Sequence, residues 1–348
     1  MISPFRIGNR LLHDQDVYVI AEMSANHNQS LSTACDIVRA MKLAGADAVK
    51  LQTYTPDTMT IDCDRDEFRI GKGTIWEGKT LHSLYGEAFT PWDWHPKLFE
   101  LANQLGMDCF SSPFDRSAVD FLETLNPPAY KIASFELVDL PLIEYVASKG
   151  RPIIMSTGMG SLAEISEAVA VVKSANVPLV LLKCTSAYPA TPEAMNLRTI
   201  SNLSSIFDVP VGLSDHTLGI AVPVAAVALG ASVVEKHFTL SREHPGPDSK
   251  FSLEPNEFKL MVDSIRTAKK AMGKVNYELT PEEEASKVFR RSLFITSDIA
   301  AGDLLSSKNV RAIRPGYGLP PKYLPIVLGR TAKRDLVAGT PLKWDVIF

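Results

Sequence analysis

The sequence predicts a (β/α)8 barrel followed by a small β-rich module, and three observations carry that prediction. Eight short apolar runs recur before Thr239, and each ends in polar residues. Stretches with helical spacing and capping residues lie between many of them. Beyond Arg290 the character changes to short apolar runs broken by Gly302, Gly316, Gly318, Gly329 and Gly339 and by five prolines between Pro315 and Pro341, a pattern of turns with no useful helical period. The expected division is 1–273 for the barrel, 274–288 for a linker and 289–348 for the β-rich domain.

In chain order, Arg6 to Val17 reads as a small hairpin lid. Tyr18-Val-Ile-Ala21 is strand one and ends at Glu22. Ser30 can cap a helix whose apolar positions are Leu31, Ala34, Ile37, Val38 and Met41, and Gly45 stops it. Ala48 to Gln52 is strand two, with Lys50 and Gln52 on one face by the two-residue period. Thr53 to Phe89 is too long for an ordinary strand-to-helix connection and is expected to fold over the site. Thr90-Pro91 opens the next helix. Strands three to six are Asp108–Ser112, Ala129–Ser134, Pro152–Gly158 and Leu179–Ser186, and Asp139 and Ser161 with Glu164 supply caps. Val211–Ser214 and Val233–His237 are strands seven and eight. The helix after strand eight runs from near Pro255 to near Gly273. Lys274 to Lys287, with Glu282-Glu-Glu284, is polar and acidic and reads as a linker.

The chain has 348 residues, 45% hydrophobic and 22% charged, with a net charge of -4. Those values fit a soluble globular protein and argue against nucleic acid as a partner. No apolar run is long enough to span a bilayer, and the N-terminus lacks a signal peptide's apolar segment. Cys35, Cys63, Cys109 and Cys184 show no CxxC spacing; Cys109 and Cys184 fall inside strand-like runs and read as buried thiols. A reduced cytoplasm is the expected location.

The carboxyl ends of parallel strands converge on one face, where active sites of such folds are built. That rim collects Glu22, Lys50, Gln52, Ser111, Ser112, Lys131, Ser134, Ser156, Thr157, Lys183, Ser186, Ser214, His216 and His237. Three lysines and several hydroxyls suit an anion with many oxygens, such as a phosphate plus a carboxylate. A histidine at a strand end is more often a hydrogen-bonded structural residue than a ligand. His216 and His237, at equivalent ends of consecutive strands, bring the ligand reading level with the structural one. Two ligands would leave a divalent metal open to substrate and water. Glu22 can bind a hydroxyl or move a proton, and the loop carrying Asp248 follows strand eight and can reach the rim. These residues point to a barrel enzyme with an anionic substrate, and they name no reaction.

The same residues resemble the sialic acid synthase family, the phosphoenolpyruvate-dependent nonulosonic acid synthases. The resemblance is carried by Ile20-Ala-Glu22, Asn26-His27-Asn28, Val49-Lys-Leu-Gln52, Phe110-Ser-Ser-Pro113-Phe-Asp115, Lys131-Ile-Ala-Ser134, Ser156-Thr-Gly158-Met, Cys184-Thr-Ser-Ala-Tyr188-Pro189, Gly212-Leu-Ser-Asp-His216-Thr, Glu235-Lys-His237-Phe-Thr and Gly246-Pro-Asp248. Phe289-Arg-Arg-Ser292 and Val310-Arg-Ala-Ile-Arg314-Pro-Gly316 resemble the family's antifreeze-like (SAF, β-clip) domain, so the likeness spans nearly the whole chain. Ala21 to His27, Trp76-Glu77-Gly78, Thr90 to His95 and Leu182 to Pro189 resemble the pseudaminic acid branch. Pro245 before Gly-Pro-Asp instead resembles the N-acetylneuraminate branch.

The resemblance implies a TIM barrel in which His216 and His237 hold a divalent metal, usually manganese, with magnesium and cobalt as alternatives. It implies that carbon 3 of phosphoenolpyruvate attacks the aldehyde of an open-chain amino sugar, that water adds at carbon 2, and that phosphate leaves by C–O cleavage. Lys50, Lys131, Ser134, Ser156, Ser186 and Ser214 would hold phosphate and carboxylate oxygens. Gln52, Ser111 and Tyr188 would line the substrate site, and Glu22 and Asp248 would contact the sugar. Phe289 and Arg314 would come from the second subunit of a homodimer, its C-terminal domain closing the site. The expected acceptor is 2,4-diacetamido-2,4,6-trideoxy-L-altrose, with N-acetylmannosamine or a related amino sugar, as in N-acetylneuraminate or legionaminic acid synthases, as the alternative. A metal-dependent hydrolase on the same barrel is disfavoured because Asn26-His27-Asn28 lacks a His-x-His pair. A carbohydrate-binding coat-assembly protein is disfavoured by the intact charged rim.

Overall fold

The computed structural model describes residues 5–8, 10–12, 16–71, 76–244 and 246–348; Pro245 of the Gly-Pro-Asp loop lies outside the described residues. The chain divides into two compact units, Met1–Gly273 and Lys274–Phe348.

In the first unit a hairpin of β1 (Phe5–Ile7) and β2 (Arg10–Leu12) precedes β3 (Tyr18–Glu22) and α1 (Leu31–Leu43). Then come β4 (Ala48–Thr53), α2 (Pro56–Met59), α3 (Leu81–Ala88), α4 (His95–Gln104), β5 (Asp108–Pro113), α5 (Arg116–Glu123), β6 (Tyr130–Ile132) and α6 (Leu140–Ala147). The unit continues with β7 (Ile153–Ser156), α7 (Leu162–Ser174), β8 (Leu179–Cys184), α8 (Thr199–Phe207), β9 (Val211–Asp215), α9 (Ala221–Ala228), β10 (Val233–His237) and α10 (Pro255–Met272). Strands β3 to β10 pair in parallel and close into an eight-stranded barrel, β10 beside β3. Three predicted caps form: Ser30 accepts from the Thr33 amide, Asp139 from Leu142, and Ser161 and Glu164 make a reciprocal capping box. Thr90 caps no helix: its Oγ1 meets His27 Nε2, and α4 starts only at His95.

Alternation along each strand separates two cores. Tyr18, Ile20, Ala48, Phe110, Ala129, Ile154, Val180, Leu182 and Val233 fill the barrel interior, joined by Ile7 of the hairpin. Ile7 packs with residues from the amino ends of the strands, so the predicted lid lies at the end of the barrel opposite the rim. Val19, Val49, Leu51, Cys109, Ile132, Met155, Leu181, Leu213 and Val234 face the helices. Each apolar side chain buried this way contributes on the order of 1.5–3 kcal/mol. Gly212 lets β9 approach its neighbour, since a Cβ there would sit 2.3 Å from the Val233 carbonyl oxygen.

The second unit holds α11 (Pro281–Ser286), β11 (Ser292–Ile295), β12 (Val310–Ile313) and α12 (Leu324–Val327). β11 and β12 pair antiparallel, Ser292 opposite Ile313. Its core gathers Leu293, Ile295, Leu305, Val310, Val327, Leu342 and Ile347. The segment expected to be a plain linker carries α11, whose Thr280 and Glu283 form a capping box. No helix among the described residues is long and apolar enough to cross a membrane.

Candidate active site

Strand register sets His237, Glu22 and Lys50 at one level, because Glu22 is the pairing partner of both His237 on β10 and Lys50 on β4. All three follow interior-facing residues at the two-residue period, so they point into the barrel mouth. Lys50 Nζ lies 2.6 Å from Glu22 Oε2 and 2.7 Å from Glu235 Oε1. Glu235 Oε1 also accepts from Ser214 Oγ at 3.3 Å and lies 3.9 Å from Lys131 Nζ. Lys131 Nζ donates to Ser156 Oγ at 2.8 Å and to the Ile132 carbonyl at 3.1 Å. Glu22 Oε1 accepts from the Ser24 amide at 2.8 Å and from Gln52 Nε2 at 3.4 Å.

Two carboxylates and two ammonium groups therefore share a buried network. Burial lowers Lys50 to about 8, against the pull of Glu235. Burial raises Glu235, but Lys131 and Lys50 outweigh it and keep the carboxyl ionised below its usual range. Buried pairs of this kind return little net stability for their desolvation cost. Their placement is better explained by an incoming charged ligand than by folding.

A second cluster borders the network. Ser134 Oγ accepts from the Gly158 amide at 3.2 Å. A Cβ on Gly158 would fall 2.3 Å from Ser186 Oγ and 2.6 Å from Ser134 Oγ, so only glycine fits between the two hydroxyls. Cys184 Sγ is 4.0 Å from Ser186 Oγ and 3.9 Å from His216 Nδ1. Burial pushes the Cys184 thiol up, yet the adjoining His216 brings it down to about 7. Burial pulls His216 down, while Cys184 and the Thr185 carbonyl push it up and prevail.

The ring centroids of His216 and His237 are 5.3 Å apart. Tyr188 lies 4.5 Å from His216, and Phe251 lies 4.9 Å from His237 and 5.2 Å from Tyr188. Ser24 Oγ donates to Asp248 Oδ2 and receives Gln52 Nε2 at 3.1 Å, tying the loop after β10 to the rim. Burial raises the Asp248 carboxyl.

A divalent cation fits the histidine pair. His216 Nδ1 is 3.2 Å from the Thr185 carbonyl, which can only accept, so this nitrogen carries the proton and leaves Nε2 as the donor to a metal. His237 Nδ1 is buried with no hydrogen-bond partner among the described residues. Burial and the neighbouring cationic groups hold His237 neutral, well below the usual histidine range, which is the ligating form. No set of three or more His, Cys, Asp or Glu that could hold a metal occurs among the described residues.

Two sequence-based expectations need correction. Ser111 does not face the substrate side. Its Oγ lies 2.6 Å from Thr53 Oγ1, which is 2.9 Å from Nε2 of His95 on α4, so it belongs to the strand–helix layer. The interior position is Ser112, paired with Gln52 across β4 and β5, and its buried Oγ has no hydrogen-bond partner among the described residues. Lys183 also turns outward, donating to the Cys184 carbonyl at 2.7 Å and to Thr185 Oγ1 at 3.1 Å. The network thus holds two lysines, not three. Glu235, absent from the rim residues picked out by sequence, stands two residues before His237, and strand periodicity alone assigns it to the same face. Phe289 and Arg314 lie in the second unit, both exposed.

Fold and site together define a (β/α)8-barrel protein with a buried cluster of Glu22, Glu235, Lys50 and Lys131 at the carboxyl ends of its strands. The NeuB family profile matches residues 37–277 and the SAF domain profile residues 290–347. The chain belongs to the NeuB family. It is 46% identical over 331 residues to the pseudaminic acid synthase of Campylobacter jejuni (strain 81-176), covering 95% of this chain and 96% of that protein. It is 38% identical to the N,N'-diacetyllegionaminic acid synthase of Legionella pneumophila, covering 95% and 94%. The crystal structure of N-acetylneuraminic acid synthetase from Leptospira borgpetersenii in complex with citrate superposes with a TM-score of 0.74 at 30% identity, covering 82% of this chain and 95% of that one.

Proposed function

We propose that the chain is a pseudaminic acid synthase, condensing phosphoenolpyruvate with 2,4-diacetamido-2,4,6-trideoxy-L-altrose and releasing phosphate. The observation that carries this reading is the 46% identity, over nearly the whole chain, to a pseudaminic acid synthase, against 38% to a legionaminic acid synthase. The rim chemistry supports the same reading. Phosphoenolpyruvate presents a phosphate and a carboxylate, and the lysine–serine clusters are two groups of donors for them.

Lys50 and Lys131 supply positive charge to the anion, helped by Ser134, Ser156, Ser186 and Ser214, with Ser112 in the place first assigned to Ser111. Lys131 hands its hydrogen bond from Ser156 to the ligand, so the ammonium group is desolvated before the anion arrives. Glu22, Gln52 and Asp248 hold hydroxyl and amide groups of the acceptor, and Tyr188 forms an apolar wall beside His216. Glu235 keeps Lys50 and Ser214 oriented and can receive a proton from water adding at carbon 2.

His216 and His237 would hold a divalent cation, manganese by family likeness, with magnesium or cobalt as substitutes. When bound, such a cation supplies Lewis-acid polarisation of the acceptor's aldehyde oxygen. In the condensation, carbon 3 of phosphoenolpyruvate forms the new bond to the aldehyde carbon and the aldehyde oxygen takes a proton. Water then adds at carbon 2 and phosphate departs with the bridging oxygen.

We extend the proposal to a homodimer in which Phe289 and Arg314 of one subunit complete the other's site, and to action in the cytoplasm. The test is phosphate release measured with each component omitted in turn. Release requires phosphoenolpyruvate, acceptor and cation together; release without acceptor contradicts the reading.

A further inference from the structure

The segment between α2 and α3 carries Trp76, an aromatic side chain that the chemistry above leaves unused. Trp76 Nε1 donates to the Pro247 carbonyl at 3.0 Å, immediately before Asp248 in the loop after β10. Its ring centroid is 5.8 Å from that of Tyr188, at an angle of 56°. Tyr188 in turn lies 4.5 Å from His216. The three rings form a row leading outward from the histidine pair, and Trp76 stands one ring further from the reacting end than Tyr188. Beside Trp76 lies a hollow of about 340 Å³ in which Leu84, Gly246 and Pro247 adjoin the indole and Asn28, Lys79, Glu87 and Lys250 make up the polar remainder. The indole cannot turn away freely, because its N–H is committed to a backbone carbonyl. A half-buried tryptophan whose polar atom is satisfied offers an apolar face at low entropic cost.

We infer that Trp76 is a specificity-determining residue that packs against the distal, deoxygenated end of the acceptor. This rests on the proposed reaction, in which the aldehyde end of the acceptor sits at His216 and His237. The acceptor then extends along the ring row, and its far end comes level with Trp76. In 2,4-diacetamido-2,4,6-trideoxy-L-altrose that end carries a methyl group at carbon 6 and an acetamido methyl at carbon 4. N-acetylmannosamine carries hydroxyls at both positions. An apolar wall gains from burying the methyl groups and gains little from hydroxyls that must surrender water. Selection here is therefore set by hydration, with the aromatic face as the discriminating surface.

The experiment compares wild type, Trp76→Ala and Trp76→Phe with both sugars, reading kcat and KM for acceptor and for phosphoenolpyruvate separately. Trp76→Ala raises KM for the trideoxy acceptor by about tenfold or more and leaves KM for phosphoenolpyruvate within about twofold of wild type. The kcat/KM ratio between the trideoxy sugar and N-acetylmannosamine falls correspondingly, and Trp76→Phe restores most of it. An unchanged ratio in Trp76→Ala, with wild type still using the trideoxy sugar, overturns the inference and leaves the parent reaction intact. Equal loss on both sugars also overturns it, because it assigns Trp76 to loop integrity alone. A wild type that turns over only N-acetylmannosamine overturns the parent reading, and this inference with it.

Discussion

Lys50 Nζ lies 2.7 Å from Glu235 Oε1 and is held on its other side by Glu22, so one buried ammonium joins two carboxylates from separate strands. Lys50→Met leaves two buried carboxylates facing each other with only Lys131 nearby. It should cost about 3–5 kcal/mol of stability and abolish measurable turnover. Lys50→Met combined with Glu235→Gln should recover much of the stability and none of the turnover. Thermal melts and phosphate release on the two variants check this; no recovery in the double variant would show that the residues are not energetically coupled.

The two adjoining serines of β5 should separate cleanly. Ser111→Ala breaks the chain to Thr53 and His95 and should cost about 1 kcal/mol of stability with an unchanged KM for phosphoenolpyruvate. Ser112→Ala removes a buried hydroxyl that has no hydrogen-bond partner among the described residues, so Tm should hold or rise. Its KM for phosphoenolpyruvate should rise about five- to tenfold, the value of one hydrogen bond. The reverse pattern would restore Ser111 to the site.

His237→Ala should lose manganese binding, read by electron paramagnetic resonance of the free ion, while its melting curve stays close to wild type. Thr185 presents only a carbonyl to His216, so His216→Ala should behave alike. Undiminished manganese binding in either variant would refute that ligand.

With Lys50 lowered to about 8 by burial, its positive charge is present below pH 8 and lost above it. kcat/KM for phosphoenolpyruvate should therefore fall as pH rises through 8. The kcat profile should stay level to higher pH, because a bound anion favours the charged amine. A kcat/KM profile flat to pH 9.5 would contradict this.

Burial holds His27 and His95 to about 4, against an ordinary value of 6.5. Their folded values are depressed, so the unfolded chain binds more protons between pH 6.5 and 4, and stability is lost as pH falls through that window. Each contributes on the order of 3 kcal/mol across it. His27 meets Thr90 Oγ1 at 3.0 Å, and His95 meets Thr53 Oγ1 at 2.9 Å. Acid melts of His27→Asn should show a shallower dependence than wild type; parallel curves would contradict the assignment.

The barrel was legible because each strand alternates and each ends in polar residues, and because caps such as Ser30 and Ser161 mark helix starts with a local hydrogen bond. Facing was harder at the strand ends. Ser111 and Ser112 are chemically alike, and only their step from Phe110, which points inward, assigns Ser112 to the mouth. Lys183 is ambiguous for the same reason: Leu182 faces inward, so its neighbour cannot. Glu235 was readable from His237 by two residues, but it sits in an apolar run that suggested core. The ring row of Trp76, Tyr188 and His216 joins three loops distant in sequence, and no local pattern encodes it.

The most direct measurement is the initial rate of phosphate release with phosphoenolpyruvate and manganese, comparing 2,4-diacetamido-2,4,6-trideoxy-L-altrose with N-acetylmannosamine and confirming the product by mass. The account predicts turnover of the trideoxy sugar and a strong preference for it. Turnover of N-acetylmannosamine alone, or of neither sugar, would contradict it.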